Sequence, residues 1–366
     1  MKICFLTHNL RQDNGTGVFS KRLILGIKEG LGADVVILTT AGSNSDFEKP
    51  ILSPNKIRLL GKIFAIRKII KDCDVIHPLD TFPYGIVAIV ASLGLRKKII
   101  LGTLGSGAVI PLYSPLYSRL TKFTYRKADR VVAVSNFMKQ EILSKVPNLK
   151  IDVIFPGIDL KPHSQKKYII KENMKPYILS VGSLRWRKGY KVSIQAFAIV
   201  SKKFPEMKYV IIGKKYANKY FDQINKMIAD LGLAEKVFVL TGVDDEKELE
   251  QYYHEAELFF LMSLNVRHEL EGFGLVYLEA AMRGLPIVSS LGCGVEEAVN
   301  NNQNGILVSQ YDYKAAAEAI IKILSNQELK KSMSEKSLAW VKNFQWNDQI
   351  KKYLLLYREI EKGQRS

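Results

Sequence analysis

At 366 residues the chain is long for a single core and fits two domains of about 150 to 200 residues. Hydrophobic residues at 47% and charged residues at 25% exclude a disordered or fibrous chain. Three scattered cysteines (Cys4, Cys73 and Cys293) without a C-x-x-C pair argue against a disulfide scaffold or a cysteine metal site and for a reducing compartment. The net charge of +18 is lopsided, with 24 Lys and Arg against 12 acids in residues 1–165 and 30 against 24 in residues 166–366. That field favours anionic partners: a phosphorylated substrate, an acidic lipid or a nucleic acid. No nucleic-acid motif accompanies the charge, so nucleic acid is not an expected partner.

Residues 2–8 read as a strand and 18–29 as a helix, joined by a loop over 9–16 that ends at Gly15, Thr16 and Gly17. This is the first βα unit of a doubly wound sheet. The full G-x-G-x-x-G dinucleotide fingerprint is missing, and no acid follows the next strand, 34–39, at the required place. Because α/β folds seat ligands at strand C-ends, the glycine turn reads either as ligand-facing or as an ordinary tight turn. Residues 56–71 read as a helix with six basic residues and no acid, its apolar positions 59, 60, 63, 66 and 70 forming one stripe. Such a stripe suits a helix lying on an anionic membrane. Every helix of a doubly wound domain must show one, however, and a helix packed on its own sheet with a solvated basic face is the expectation.

A strand at 74–77 leads into a loop holding Asp80 and an apolar helix at 86–93, whose run over 85–95 is about half the length needed to span a bilayer. A strand at 98–101 enters the glycine-rich 102–107, with Thr103 and Ser106. Residues 108–125 are rich in Tyr, Pro and apolar side chains and include Arg119 and Lys122; they read as an acceptor- or membrane-facing loop or as a packed hairpin of helices. Residues 128–138 form a strand and a helix start capped by Ser135, residues 151–159 another strand, and 161–175 an interdomain linker. The first residues run straight into a strand without a cleavable signal, so a cytoplasmic protein is expected.

The second domain opens with a strand at 177–181 and the loop Gly182-Ser-Leu-Arg-Trp-Arg-Lys-Gly189. Arg185, Arg187 and Lys188 stand at the exit of that strand, where they reach a diphosphate or form a solvated basic turn. Strands at 208–213 and 236–241, a helix at 245–253 and a strand at 257–262 lead to Glu271-Gly-Phe-Gly-Leu-Val-Tyr-Leu-Glu279. Here two glycines feed a helix, so the amides of residues 273–277 lie without intrahelical partners at the positive end of its dipole, a seat for phosphate. Glycines without Cβ let an anion or sugar approach the backbone. Glu271 precedes the helix and Glu279 lies about one and a half turns into it, on the other side of the amides. The helix stops at Gly284 with Pro286 beyond, and 286–290 reads as a buried strand. Glu296 reads as a helix-start acid. Helices at 313–324 and 328–341 close the domain, and a last helix at 346–360 places Trp346, Ile350, Tyr353, Leu354 and Tyr357 on one side.

The stretch from Glu271 to Glu279 resembles the E-x7-E signature of the family 4 retaining glycosyltransferases, GT-B-fold enzymes that use nucleotide-sugar donors. Residues 128–138 resemble that family's "ADRVIAVS" strand. Residues 151–159 resemble its "VIPNGID", with Pro156 where Asn is usual, and 291–296 and 304–308 resemble "GG-x-x-E" and "NG-L-L-V". The family pattern Gly-Arg followed by Lys-Gly is matched at Lys188, whereas Ser183 stands where the Arg belongs, so Arg185 or Arg187 supplies the second charge. The resemblance covers nearly the whole chain, most strongly residues 177–310.

It implies an α/β GT-B fold of two Rossmann-like doubly wound domains facing across a cleft. These are an acceptor-side domain over 1–165 and a donor domain over 166–342, with a C-terminal helix over 343–366 crossing back to brace the first. It implies that Glu271 lies near the hexose hydroxyls, that Glu279 binds the ribose, and that the backbone of Gly272, Phe273, Gly274, Leu275 and Val276 meets sugar and diphosphate. The base would lie near Gly242 and Val243, and Gly15, Thr16 and Gly17 near the donor phosphates and the acceptor. A His that relatives often carry in the 102–107 loop is absent, which leaves Thr103 and Ser106, with His77 and Asp80, as acceptor-side candidates.

Lys188, a neighbouring Arg and the helix amides would stabilise the leaving diphosphate. No D-x-D pair or His/carboxylate cluster stands where it would hold a metal, so neither metal nor cofactor is expected. The implied partners are a nucleotide sugar, a glycan or lipid-linked acceptor and an anionic membrane surface on the cytoplasmic side. The alternatives are a GT-B epimerase or hydrolase, for which His8 and His77 are the only well-placed histidines, though both read more readily as satisfied core or loop residues, and a basic non-catalytic protein binding nucleic acid or another anion.

Overall fold

The computed structural model describes residues 1–11, 15–40, 42, 47–160 and 168–363; the parts of the first loop at 12–14 and of the linker at 161–167 lie outside the described residues. The elements in chain order begin with β1 (Lys2–Leu6), α1 (Gly15–Leu31), β2 (Asp34–Leu38), β3 (Glu48–Lys49), α2 (Lys56–Leu60), α3 (Ile63–Ile70) and β4 (Val75–Pro78). There follow α4 (Ile86–Ser92), β5 (Lys98–Thr103), α5 (Ser118–Lys127), β6 (Arg130–Ala133), α6 (Asn136–Lys145) and β7 (Ile151–Val153). The next stretch holds β8 (Tyr177–Val181), α7 (Tyr190–Lys203), β9 (Lys208–Ile212), α8 (Asn218–Asp230), β10 (Val237–Leu240), α9 (Glu246–Glu255) and β11 (Leu258–Phe260). The chain closes with α10 (Leu275–Ala281), β12 (Ile287–Ser290), α11 (Val295–Ala298), β13 (Gly305–Val308), α12 (Tyr313–Leu324), α13 (Gln327–Trp340) and α14 (Trp346–Lys362).

These elements divide into two units, Met1–Gly157 with the C-terminal segment from Trp346, and Ile158–Gln345. Unit 1 has the strand order β3-β2-β1-β4-β5-β6-β7 and unit 2 the order β10-β9-β8-β11-β12-β13, with every strand pair parallel. Parallel neighbours need a crossover, and helices supply it between every neighbouring pair except β2 and β3. In each sheet the chain winds outward in one direction and then in the other. The reversal falls between β1 and β4 in unit 1 and between β8 and β11 in unit 2, the places where open α/β sheets bind ligands.

The alternation of β1 sets the two layers of unit 1. Ile3 and Phe5 join a core with α1 and α14, while Cys4 and Leu6 join one with α2, α3 and α4. α14 sits against α1 because two positions there are glycine: a Cβ on Gly26 would come within 2.6 Å of Ile350 and one on Gly30 within 2.5 Å of Leu354. The same packing answers for His77. It is fully buried on β4, its Nδ1 2.7 Å from the Tyr357 hydroxyl and its ring tilted against Phe5, and burial lowers its pKa to about 3. Of the two places the sequence left open for His77, core and acceptor side, the structure shows the core. Tyr357→Phe removes its partner and lowers unfolding stability by about 1 to 3 kcal/mol, read as a lower urea midpoint at unchanged slope.

Several element expectations are corrected. The helix expected over 56–71 is two, because Gly61 and Lys62 turn the chain. The Lys62 amide bonds Leu59 O at 3.0 Å in place of a full helical bond, and Leu60 consequently faces solvent while Leu59, Ile66 and Ile70 enter the core. The helix expected from Val18 begins at Gly15, so Gly15, Thr16 and Gly17 form its first turn; a Cβ on Gly17 would stand 2.0 Å from Arg11 O. The strand expected over 151–159 ends at Val153. The strand expected to end at Leu101 continues through Thr103. Residues 108–125 resolve into a single turn at Ile110–Tyr113 and α5. Helix α8 was not foreseen: its first residue follows Ala217, which offers no capping side chain.

Candidate functional site

In unit 2 the groups singled out in the sequence converge at the C-ends of β8 and β11. β8 runs out into Gly182, and a single turn, Trp186–Lys188, lifts Arg187 and Lys188 toward the β11 side. Gly189, at φ +59°, ends that turn. A Cβ there would overlap Met262 O at 1.8 Å, so the turn packs directly on the backbone after β11. Across the gap, Glu271 is held by its own backbone: its carbonyl accepts from the Gly294 amide at 2.9 Å, and a Cβ on Gly294 would stand 2.1 Å from Gly272 O.

Lys188 Nζ donates to Glu271 Oε2 at 2.5 Å and Arg187 Nη1 donates to the same oxygen at 2.6 Å, with the Ser263 hydroxyl a longer third donor at 3.4 Å. Among the described residues nothing holds Oε1. Burial pushes the Glu271 carboxyl up, but the two cations outweigh it and hold the pKa at about 2. Burial lowers Lys188 against the pull of that carboxylate, while Arg187 is raised by it. Two cations on one anion leave one positive charge in excess in a largely dry place, which an incoming anion compensates. The Nε atoms of Arg185 and Arg187 are buried without a hydrogen-bond partner among the described residues. Arg185 stands apart from the cluster, its guanidinium 3.6 Å over the ring of Tyr216 beyond β9.

Beneath the cluster lies a hydroxyl network that the sequence did not reveal. Tyr277 OH bonds Ser263 Oγ at 2.8 Å, accepts from Ser289 at 2.9 Å and reaches Leu261 O at 3.0 Å. Gly274, at φ +88°, enters α10 beneath which that ring passes, since a Cβ there would meet the Tyr277 ring at 2.5 Å. Of the amides expected to be open at this helix start, that of Tyr277 is taken by Gly274 O at 3.1 Å. Gly272, Phe273, Gly274, Leu275 and Val276 form the approach to and first residues of α10. Glu279, on the second turn, accepts from Tyr253 OH at 2.8 Å, and burial raises its pKa. Gly242 and Val243 lie just past β10, two strands from β8, with nothing crowding Gly242. Glu296 accepts from the Gly292 amide at 2.6 Å and serves the backbone at the start of α11. A cavity lined by Glu257, Arg283, Pro286 and Lys330 sits instead at the N-ends of β11 and β12, away from these groups.

In unit 1 the remaining candidates gather less tightly. Thr103 is buried in the sheet, donating to Val132 O at 3.2 Å, so its expected place facing an acceptor is corrected. Ser106 opens a half-buried turn. Asp80, at the C-end of β4, is pushed up by burial against the Phe82 and Thr81 amides to about 7, and its carboxylate fills the space left by Gly107, where a Cβ would lie 3.0 Å from Oδ1. Exposed His8, beyond β1, lies 3.0 Å from Tyr84 OH. Asp80 and His8 thus stand at the two strands where unit 1 reverses direction. Among the described residues no group of three or more His, Cys, Asp or Glu is placed to hold a metal ion.

The chain thus folds into two parallel α/β units, one of which gathers two cations on one buried carboxylate at its reversal point. Comparison with known proteins places it further. A family model described as Glycosyl transferases group 1 matches residues 163–340, and one described as Glycosyltransferase Family 4 matches residues 14–162. The chain is 25% identical to a GDP-mannose-dependent alpha-(1-6)-phosphatidylinositol monomannoside mannosyltransferase of Mycolicibacterium smegmatis, over 74% of each chain. It is also 25% identical to an N-acetyl-alpha-D-glucosaminyl L-malate synthase of Bacillus anthracis, over 88% of this chain and 83% of that one. Among solved structures, a sucrose-phosphate synthase from Thermosynechococcus elongatus matches with a TM-score of 0.83 at 19% identity, over 99% of each chain. The Anabaena HepE protein in complex with UDP-glucose matches at 0.76 and 18%, over 97% of this chain and 99% of that one. The fold is GT-B, and the chain belongs to the family 4 glycosyltransferases. It is an enzyme of glycosyl transfer.

Proposed function

We propose that unit 2 binds a nucleotide-diphosphate sugar and that the enzyme moves its hexose, with retention of configuration and without a metal, to a hydroxyl of a glycan or lipid-linked acceptor. The observation that carries this reading is the cluster of Arg187 and Lys188 on one oxygen of Glu271. Its excess positive charge suits a diphosphate, and Oε1 of Glu271, which no described residue holds, suits sugar hydroxyls. Glu279, steadied by Tyr253, suits the ribose.

In the transfer, the bond from the anomeric carbon to the diphosphate oxygen breaks, the acceptor oxygen bonds that carbon on the same face, and the acceptor proton passes to the departing phosphate. The protein positions the reactants and stabilises the charge gathering on the leaving group, with Lys188 and Arg187 already held in place. The basic charge of unit 1 and its groups at Asp80, Ser106 and the first turn of α1 support an acceptor met on that unit. Relatives named for a GDP-sugar and solved with a UDP-sugar make both bases candidates.

A thermal-shift screen against UDP, GDP, ADP, CMP and their sugars tests the reading. One nucleotide family, at 100 times its dissociation constant, should stabilise by about 2.7 kcal/mol, a rise of roughly 5 to 10 °C, with no rise in Glu279→Ala. Absence of a rise with every nucleotide rejects the proposal.

A further inference from the structure

Helix α5 buries Tyr125 with Thr121 and Thr124, whose hydroxyls fold back onto Tyr117 O at 2.9 Å and Leu120 O at 3.0 Å, and leaves Leu116, just before its start, Leu120 and Phe123 exposed to solvent. Those three positions are four and three residues apart and share one face. The break at Gly61 does the same on the neighbouring segment: Ile57 is 81% exposed and Phe64 84%, as is Leu116 at 76%, with Leu60 exposed between the first two. The two segments meet. Lys56 Nζ stands 3.4 Å from Tyr117 OH and lies over the rings of Tyr117 and Phe82 at 4.4 and 4.8 Å. Phe82 follows Asp80 at the C-end of β4, so the apolar face begins at the end of the sheet where the acceptor-side groups lie.

The same face is purely cationic. No acid occurs from 49 to 71 or from 81 to 128, while Lys56, Arg58, Lys62, Arg119, Arg126 and Lys127 are exposed on these segments. Large apolar side chains exposed among long cations are the composition of an interfacial surface. A protein partner would meet the apolar residues equally well, but the unbroken positive charge selects a partner that is anionic over its whole area. Among the described residues no helix is long and apolar enough to cross a membrane.

We propose that α2, the start of α3 and α5 form a docking face for an anionic bilayer, entered by Ile57, Phe64 and Leu116 and ringed by Lys62 and Arg119. The proposal goes beyond the donor reading and stands independently of it; together the two put a lipid-carried acceptor beside Asp80.

Flotation of the full chain with vesicles of phosphatidylcholine, alone or mixed with phosphatidylglycerol, tests it. The chain is expected to float with the anionic vesicles only, less so as salt rises. Phe64→Ser combined with Leu116→Ser, and separately Lys62→Glu combined with Arg119→Glu, should each cut the bound fraction at least roughly tenfold. Both variants change exposed side chains and should keep the wild-type melting temperature and nucleotide-induced shift. Equal binding to neutral vesicles overturns the proposal, as does flotation of both variants at the wild-type level. A dimer seen by sedimentation velocity and dissolved by the apolar pair, without vesicle binding, assigns the face to a second copy and overturns it too. Loss of the nucleotide shift with flotation intact would reject the donor reading alone.

Discussion

Replacing Glu271 with alanine should destabilise unit 2 by about 3 to 5 kcal/mol, since it leaves Arg187 and Lys188 side by side and buried with no anion between them. For a unit of this size that is a fall of roughly 6 to 20 °C in Tm, measured by circular dichroism at neutral pH. The effect has a pH signature. The folded carboxyl lies at about 2 against 4.5 in the reference state. Its contribution, on the order of 3 kcal/mol, is therefore fully present above about pH 4.5 and drains away as pH falls toward 2. The gap between wild type and Glu271→Ala should narrow over that window in urea titrations. Pyrophosphate should stabilise the variant more than the wild type, because it supplies the missing negative charge. A variant as stable as wild type at pH 7 would show that the cluster is not charge-balanced by Glu271.

Lys188→Ala is expected to separate catalysis from stability. Arg187 still holds Glu271 in this variant, so the melting temperature should move by only a few degrees. The leaving diphosphate, however, loses its pre-placed counter-charge, and kcat at saturating donor and acceptor should fall by about 10²- to 10³-fold. Lys188→Arg should not restore the rate, because the buried slot, in which the Lys188 stem packs beside Gly182 and its ammonium reaches Glu271, does not fit a planar guanidinium. Initial-rate measurements decide it, and a loss smaller than tenfold removes Lys188 from the role proposed.

Much of this protein was legible in one dimension because the signals are local. The period-two run at Ile3 to Leu6, the left-handed glycines at Gly189, Gly274 and Gly284, the Ser135 cap and the spacing of Glu271 and Glu279 each act over a few residues. They made most of the strand and helix series and the Rossmann-like pattern legible, while the link from the Glu271 to Glu279 spacing to nucleotide-sugar transfer came from resemblance to a known family.

What only the tertiary structure decided are the pairings between distant residues and the direction in which ambiguous faces point. Arg187 meets Glu271 across 84 residues and His77 meets Tyr357 across 280, and no local rule distinguishes these partners from other tyrosines and arginines. The sequence left His77 open between a core place and an acceptor-side one and took Thr103 as an acceptor-side candidate only because the usual loop His is absent, but packing from α14 and the register of β5 with β6 buried both. The stripe over 56–71 and the mixed run over 108–125 carried apolar residues enough for two faces. A turn at Gly61 and two threonines that satisfy their own hydroxyls chose which face entered the core, and left Ile57, Phe64 and Leu116 in water. Periodicity establishes that a helix has an apolar side; only the neighbours packed against it determine which side is spent on the core and which remains for a partner.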